Sequence, residues 1–77
     1  MNYEKQLKEM IAKELEVSID DVKFISDFKM DLGADSLDII ELTMEIEQKF
    51  DIDISENEMK NIRAVKDLLK MVNKKIK

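Results

Sequence analysis

Residues 31–50, DLGADSLDIIELTMEIEQKF, join the only glycine of the chain to a long amphipathic segment. Gly33 permits the left-handed backbone of a tight turn, and Asp35, with Asp38 three residues on, is suited to cap a helix that begins there. One apolar stripe recurs at helical spacing and predicts a core-facing side: Ile39, Leu42, Thr43, Ile46 and Phe50. A second apolar line runs beside it, through Leu37, Ile40 and Met44. A single core face does not need both, so part of this apolar surface is expected to be exposed.

The flanking segments predict three further helices, one of them short. Upstream, apolar residues at helical spacing predict a first helix through Tyr3, Leu7, Met10, Ile11 and Leu15. Downstream, the capping box formed by Ser55 and Glu58 opens a short helix that runs through Met59 and Ile62. The same periodicity predicts a last helix through Val65, Leu68, Leu69, Val72 and Ile76. Its start lacks a side-chain cap, because Arg63 and Ala64 offer no acceptor there.

Residues 16–35 lose the helical pattern and predict a long loop, within which Ser18 and Asp21 favour one short helical turn. The chain contains no proline, which favours helix throughout. The expected fold is all-α: a small antiparallel four-helix bundle of three main helices and one short helix, with the long loop between helices 1 and 2.

The amino-acid composition argues against several classes of function. A chain of 77 residues forms one domain, and the absence of Cys and His removes thiol nucleophiles, thiolate metal sites and the commonest general base, so an enzyme is not expected. The net charge of −5 argues against binding nucleic acid, and no apolar run is long enough to span a membrane. With no signal peptide pattern at the start, we expect a cytoplasmic monomer.

Charge is segregated along the chain. Residues 35–59 hold nine acidic residues against one lysine, whereas residues 60–77 hold seven basic residues against one aspartate. The acidic block coincides with the predicted second helix and favours docking against basic surfaces. The acids of residues 51–58 do not form an EF-hand, since Glu56 stands where the loop needs glycine and Ile62 where it needs glutamate, and no metal site is predicted.

Ser36 is the candidate for chemistry. A serine at a helix start is usually a structural residue, but Asp35 already provides the cap, so the hydroxyl is expected to point to solvent. Nothing in the chain is placed to deprotonate it, so Ser36 is not a self-sufficient nucleophile. It is better suited to be modified by another enzyme.

The run from Asp31 to Leu42, which contains Leu-Gly-Ala-Asp-Ser-Leu-Asp, resembles the acyl carrier proteins of dissociated fatty acid synthesis. The resemblance extends over essentially the whole chain and implies one acyl carrier domain, residues 1–77. It implies that Ser36 carries 4'-phosphopantetheine, added from coenzyme A by a phosphopantetheinyl transferase. The thiol of that arm would hold growing acyl chains as thioesters and deliver them to fatty acid synthesis enzymes and acyltransferases with basic docking patches.

The resemblance also assigns two sets of residues. The docking surface on the second helix comprises Asp35, Leu37, Asp38, Ile40, Glu41, Met44 and Glu47. The acyl site, between the second and third helices, comprises Phe28, Leu32, Leu42, Ile46, Met59, Ile62 and Leu68.

The sequence departs from the family pattern at a few positions. Gln48 stands where many relatives have an acid, Ser55 where many have proline, and Ala64 where many have a capping threonine; the last helix is also unusually rich in lysine. Three alternatives remain open: a D-alanyl carrier, a polyketide carrier, and an acidic helical adaptor that binds a basic partner without being modified.

Overall fold

The computed structural model describes residues 3–76 and consists of four α-helices. These are α1 (Glu4–Leu15), α2 (Ser36–Phe50), α3 (Glu56–Lys60) and α4 (Val65–Lys75). Within the described range the only β pairing is a single bridge between Asp27 and Ala64, and no helix there is long and apolar enough to cross a bilayer. The predicted all-α bundle, with three main helices and one short helix, is confirmed.

Helices α1 and α2 pack side by side in opposite directions. At one end the rings of Tyr3 and Phe50 meet edge to face, with centroids 5.5 Å apart. At the other end a carboxylate oxygen of Glu14 lies within 4.8 Å of carboxylate oxygens of Asp38 and Glu41. The start of α1 therefore lies against the end of α2, and the end of α1 against the start of α2.

The core draws on all four α-helices and on the connections between them. Its buried apolar residues come from α1, from the long loop, from α2, from the α2–α3 connection and from α4: Leu7, Ile11, Val22, Phe28, Leu32, Ala34, Leu42, Ile46, Ile54, Val65, Leu68, Leu69 and Val72. Helix α3 contributes only the half-buried Met59, which packs against this cluster. The short helix is therefore less deeply anchored than its neighbours.

The long loop is ordered by main-chain hydrogen bonds to the start of α4. Phe28 N–H donates to the Arg63 carbonyl at 3.0 Å, Val65 N–H to the Ser26 carbonyl at 2.9 Å, and Lys66 N–H to the Phe24 carbonyl at 2.9 Å. The loop holds one 3-10 turn, Ile19–Asp21, capped by the Ser18 hydroxyl as the sequence predicts. Only some of its apolar side chains are buried, since Ile19, Phe24, Ile25 and Met30 are exposed.

Two helix ends differ in detail from the sequence prediction. Helix α3 stops at Lys60, short of Ile62, because Asn61 and Ile62 bond to carbonyls three residues back and leave the α-helical pattern. The start of α4 indeed lacks a capping side chain at Ala64, but Asp67 compensates. Its Oδ2 accepts the N–H groups of Ala64 at 3.0 Å and Arg63 at 3.2 Å.

Candidate functional site

The site is built around the turn that leads into α2. Gly33 has φ +69°, and a Cβ placed on it would meet nothing within 4 Å, so the backbone angle is what requires glycine here. Asp35 and Asp38 form a reciprocal capping box: Asp38 N–H donates to Asp35 Oδ1 at 2.9 Å, and Asp35 N–H donates to Asp38 Oδ2 at 3.1 Å. The local sequence thus fixes where α2 begins.

Ser36, the first residue of α2, is exposed. Its hydroxyl makes no hydrogen bond with any other residue in the range 3–76, because the helix cap is provided by Asp35. The two nearest acids bond to backbone amides, and the chain contains no imidazole and no thiol. An accessible alcohol without a local base can accept a group from another enzyme but is not activated by its own chain.

The second apolar line of α2 is exposed, as the sequence predicts. Leu37 is 60 % exposed, Ile40 44 % and Met44 51 %. Of the acids assigned to the docking surface, Asp35 and Glu41 are exposed, whereas Asp38 and Glu47 are half-buried. Asp38 belongs to the capping box, and Glu47 Oε2 accepts the Ile54 N–H at 2.9 Å. The predicted docking residues therefore lie along α2 and at its N-cap, but three of the acids, Asp35, Asp38 and Glu47, also accept backbone N–H groups.

A shallow cleft of about 360 Å³ lies on this face of α2, lined by Glu41, Met44, Glu45 and Gln48. Gln48 is exposed at its edge. Gln48, which departs from the family pattern, thus lies beside Glu41 of the predicted docking surface, and its neutral amide leaves this surface one negative charge fewer than an acid would give.

Sequence reasoning missed Glu14, which lies on α1 against the acids of α2. Hydrogen bonding with Glu45 is the main reason that the pKa of Glu14 rises to about 7, and burial together with the charges of Glu45 and Glu41 adds to the effect. Glu14 therefore carries a proton over part of the neutral range. No local pattern in α1 signals this, because the acids that surround Glu14 belong to another helix.

The seven residues assigned to the acyl site lie in or against the core cluster. Phe28, Leu32, Leu42, Ile46 and Leu68 are buried, while Met59 and Ile62 are half-buried. The seam between α2 and α3 is held by few polar contacts, among them one of 3.5 Å from the Thr43 hydroxyl to Met59 Sδ. None of the seven residues lines the cleft on α2 or a second cleft of about 280 Å³ between α1 and α4, and the predicted acyl site is filled by side chains that pack together.

Comparison with known proteins identifies the family. Residues 5–72 match the phosphopantetheine attachment site family. The chain is 47 % identical over 66 residues to the acyl carrier protein of Sulfurovum sp. (strain NBC37-1), covering 86 % of this chain and 88 % of the relative. It is 44 % identical over 75 residues to the acyl carrier protein of Chlamydia muridarum, with 97 % of each chain covered.

A solved structure with a similar fold is the crystal structure of the acyl carrier protein of Thermotoga maritima. The TM-score is 0.80 at 35 % identity, with 92 % of this chain and 82 % of that chain covered. The fit of the family's prosthetic group can be tested on this fold: attachment needs an alcohol that another enzyme can reach, and the exposed, unpaired hydroxyl of Ser36 meets that need. The chain therefore belongs to the acyl carrier protein family, whose members are carriers rather than enzymes and bear a covalently attached 4'-phosphopantetheine.

Proposed function

We propose that Ser36 Oγ carries the 4'-phosphopantetheine in phosphodiester linkage and that the chain delivers growing acyl groups, held as thioesters, to the enzymes of fatty acid synthesis. The observation that carries this proposal is the exposed Ser36 hydroxyl at the start of α2, beside a capping box that leaves it without a bonding partner in the described structure. The chain has no cysteine, so the thiol that holds the acyl group comes from the arm. The group is added from coenzyme A by a phosphopantetheinyl transferase, which supplies the base and the magnesium that this chain does not provide.

The docking surface that we propose is the exposed face of α2. The apolar line of Leu37, Ile40 and Met44 supplies contact area, and the flanking acids Asp35, Asp38, Glu41 and Glu47 attract partners with basic patches. Such partners include the transferase, the synthesis enzymes and acyltransferases. Charge would then set the rate of encounter, while the apolar line would hold the complex together.

We propose that the acyl chain lies between α2 and α3, among the seven residues assigned to the acyl site. Helix α3 has only five residues and contributes no buried residue of its own, so moving it disturbs the core less than moving α1 or α4. A carrier that holds acyl chains of different lengths benefits if one helix beside the acyl site is weakly held.

Residues 1–77 act as one acyl carrier domain, which works as a cytoplasmic monomer without binding nucleic acid or membranes. The net charge of −5 supports the absence of nucleic acid and membrane binding, since a chain with excess acid is repelled by phosphate-rich surfaces.

Intact-mass measurement after incubation with coenzyme A, magnesium and a transferase of broad specificity tests the attachment. We expect one phosphopantetheine adduct on the wild-type chain and none on Ser36→Ala. Ser18→Ala and Ser55→Ala, which alter other exposed serines, should be modified as the wild type is. An adduct that persists on Ser36→Ala would overturn the assignment, and the mass of the chain isolated from its host would identify the cargo.

A further inference from the structure

Glu47 holds the connection between α2 and α3 through three hydrogen bonds. Its main-chain carbonyl accepts the N–H of Asp51, which closes α2, and the N–H of Ile52 at 3.2 Å. Its side-chain Oε2 accepts the N–H of Ile54 at 2.9 Å. A single residue near the end of α2 therefore binds three of the four amides in residues 51–54.

The third bond places Glu47 at the wall of the proposed acyl site. Ile54 is only 5 % exposed, its side chain belongs to the core cluster, and the next residue, Ser55, caps α3. An Ile54 amide that loses its acceptor in this half-buried position must find water or move. The carboxylate of Glu47 thus holds the backbone at Ile54, directly before the residue that caps α3.

The same side chain borders the exposed face of α2. Helical spacing places Glu47 on the face that carries Leu37, Ile40 and Met44, three residues after Met44. Glu41 and Glu45 lie near that face too, but in residues 3–76 neither of their side chains bonds to a backbone amide. Glu47 is therefore the acid of this face whose carboxylate also accepts a hydrogen bond from the α2–α3 connection.

We propose that Glu47 is a positioning residue that couples docking to the acyl site: a basic side chain of a partner that pairs with its carboxylate competes with the Ile54 amide and so loosens the α2–α3 connection. This inference rests on the proposed function, because it needs a basic partner on α2 and an acyl site behind α3. It distinguishes Glu47 from the other docking acids, which can be neutralised without affecting the connection.

Hydrogen exchange at the Ile54 amide, followed by NMR on the full chain without its arm, tests the internal bond. Glu47→Ala should speed exchange at Ile54 by about tenfold or more, since a bond to a charged acceptor is lost. Glu47→Gln keeps an oxygen acceptor without the charge and should stay within about threefold of the wild type. Glu41→Ala is the matched control and should leave Ile54 unchanged. Equal exchange in Glu47→Ala and Glu41→Ala would overturn the role of the bond.

Addition of the transferase without coenzyme A tests the coupling and needs no variant of Glu47. Saturating transferase should speed exchange at Ile54 of the wild type by about threefold or more, while amides in the middle of α1 exchange as before. If the transferase leaves exchange at Ile54 unchanged in this experiment but modifies Ser36 once coenzyme A is supplied, the coupling is wrong and the proposed function stands. If it neither binds nor modifies the chain, the proposed function fails and the coupling fails with it.

Discussion

Asp35 and Asp38 cap each other's backbone amides on either side of Ser36, through bonds of 2.9 and 3.1 Å. Each aspartate satisfies a donor that the first turn of a helix would otherwise leave unpaired. The reciprocal bonds hold the backbone around Ser36 while leaving its side chain out of the cap. Asp35 and Asp38 therefore hold the backbone at Ser36, and the same arrangement leaves the Ser36 hydroxyl accessible.

Replacing Asp35 should show what this cap contributes to stability. Asp35→Ala removes one acceptor and should lower the free energy of unfolding by about 1 kcal/mol. Asp35→Asn retains an oxygen acceptor and should unfold close to the wild type. Urea unfolding followed by circular dichroism measures both, and an unchanged midpoint for Asp35→Ala would contradict the structural role of the box.

Two phenylalanines of the long loop provide a matched pair. Phe28 is 1 % exposed and anchors the loop in the core, whereas Phe24 is 44 % exposed. Phe28→Ala should cost about 3–5 kcal/mol, which is comparable to the whole stability of a domain of this size. Phe24→Ala should cost about 1 kcal/mol or less. Thermal melts of the two variants make the comparison, and similar losses would show that the loop is not anchored at Phe28.

The acidic contact between α1 and α2 makes stability depend on pH. In the unfolded chain Glu14 titrates near its ordinary pKa of 4.5, whereas in the folded chain its pKa is about 7. Between these values the folded chain holds a proton that the unfolded chain has lost. The stabilisation from this group is therefore fully present below pH 4.5 and is lost as the pH rises through 7. The melting temperature should therefore fall as the pH rises from about 5 to about 7.5 and should change little from this group at higher pH.

Glu14→Gln is the control for this pH effect. Its amide can donate to Glu45 at every pH, so the melting temperature should change much less over the same range. Identical pH profiles for the wild type and Glu14→Gln would show that Glu14 is not responsible.

At acid pH, Asp27 affects stability in the opposite direction. Hydrogen bonds from the Met30 and Lys29 amides hold the pKa of Asp27 below its ordinary value, so the stabilisation from Asp27 is lost as the pH falls.

Charge reversal on α2 tests the docking surface. Glu41 is exposed, and Glu41→Lys should slow association with the transferase by about three- to tenfold at low salt, with a smaller effect at high salt because screening already weakens the encounter. Glu9→Lys changes the net charge equally at an exposed position of α1 and should have little effect. Stopped-flow measurements give both rates; equal rates for the two variants at low salt would argue against docking through α2.

The features that sequence predicts here are local ones. The glycine turn, the aspartate cap, the Ser55–Glu58 box and the apolar stripes depend on residues three or four apart, and the structure contains each of them. The exposed line on α2 was predictable for the same reason, since one helix carried more apolar surface than a single core face needs.

The remaining features depend on residues that are distant in the chain. Glu14 acquires its raised pKa from acids of α2, and Glu47 reaches past the end of its own helix to Ile54. Both contacts follow from how the helices pack and turn. The bonds that tie the loop to α4 join main-chain groups, which every residue except proline possesses, so the side chains carry no signal for them.

Those loop bonds set an order in which the molecule can assemble. Phe24, Ser26 and Phe28 make these three bonds with residues 63–66, roughly half the chain further on. A ribosome that has made α1, the loop and α2 has therefore not yet supplied the groups that complete the structure. These bonds can therefore form only after the start of α4 has been made, so α1, the loop and α2 cannot complete the native structure before that segment is available.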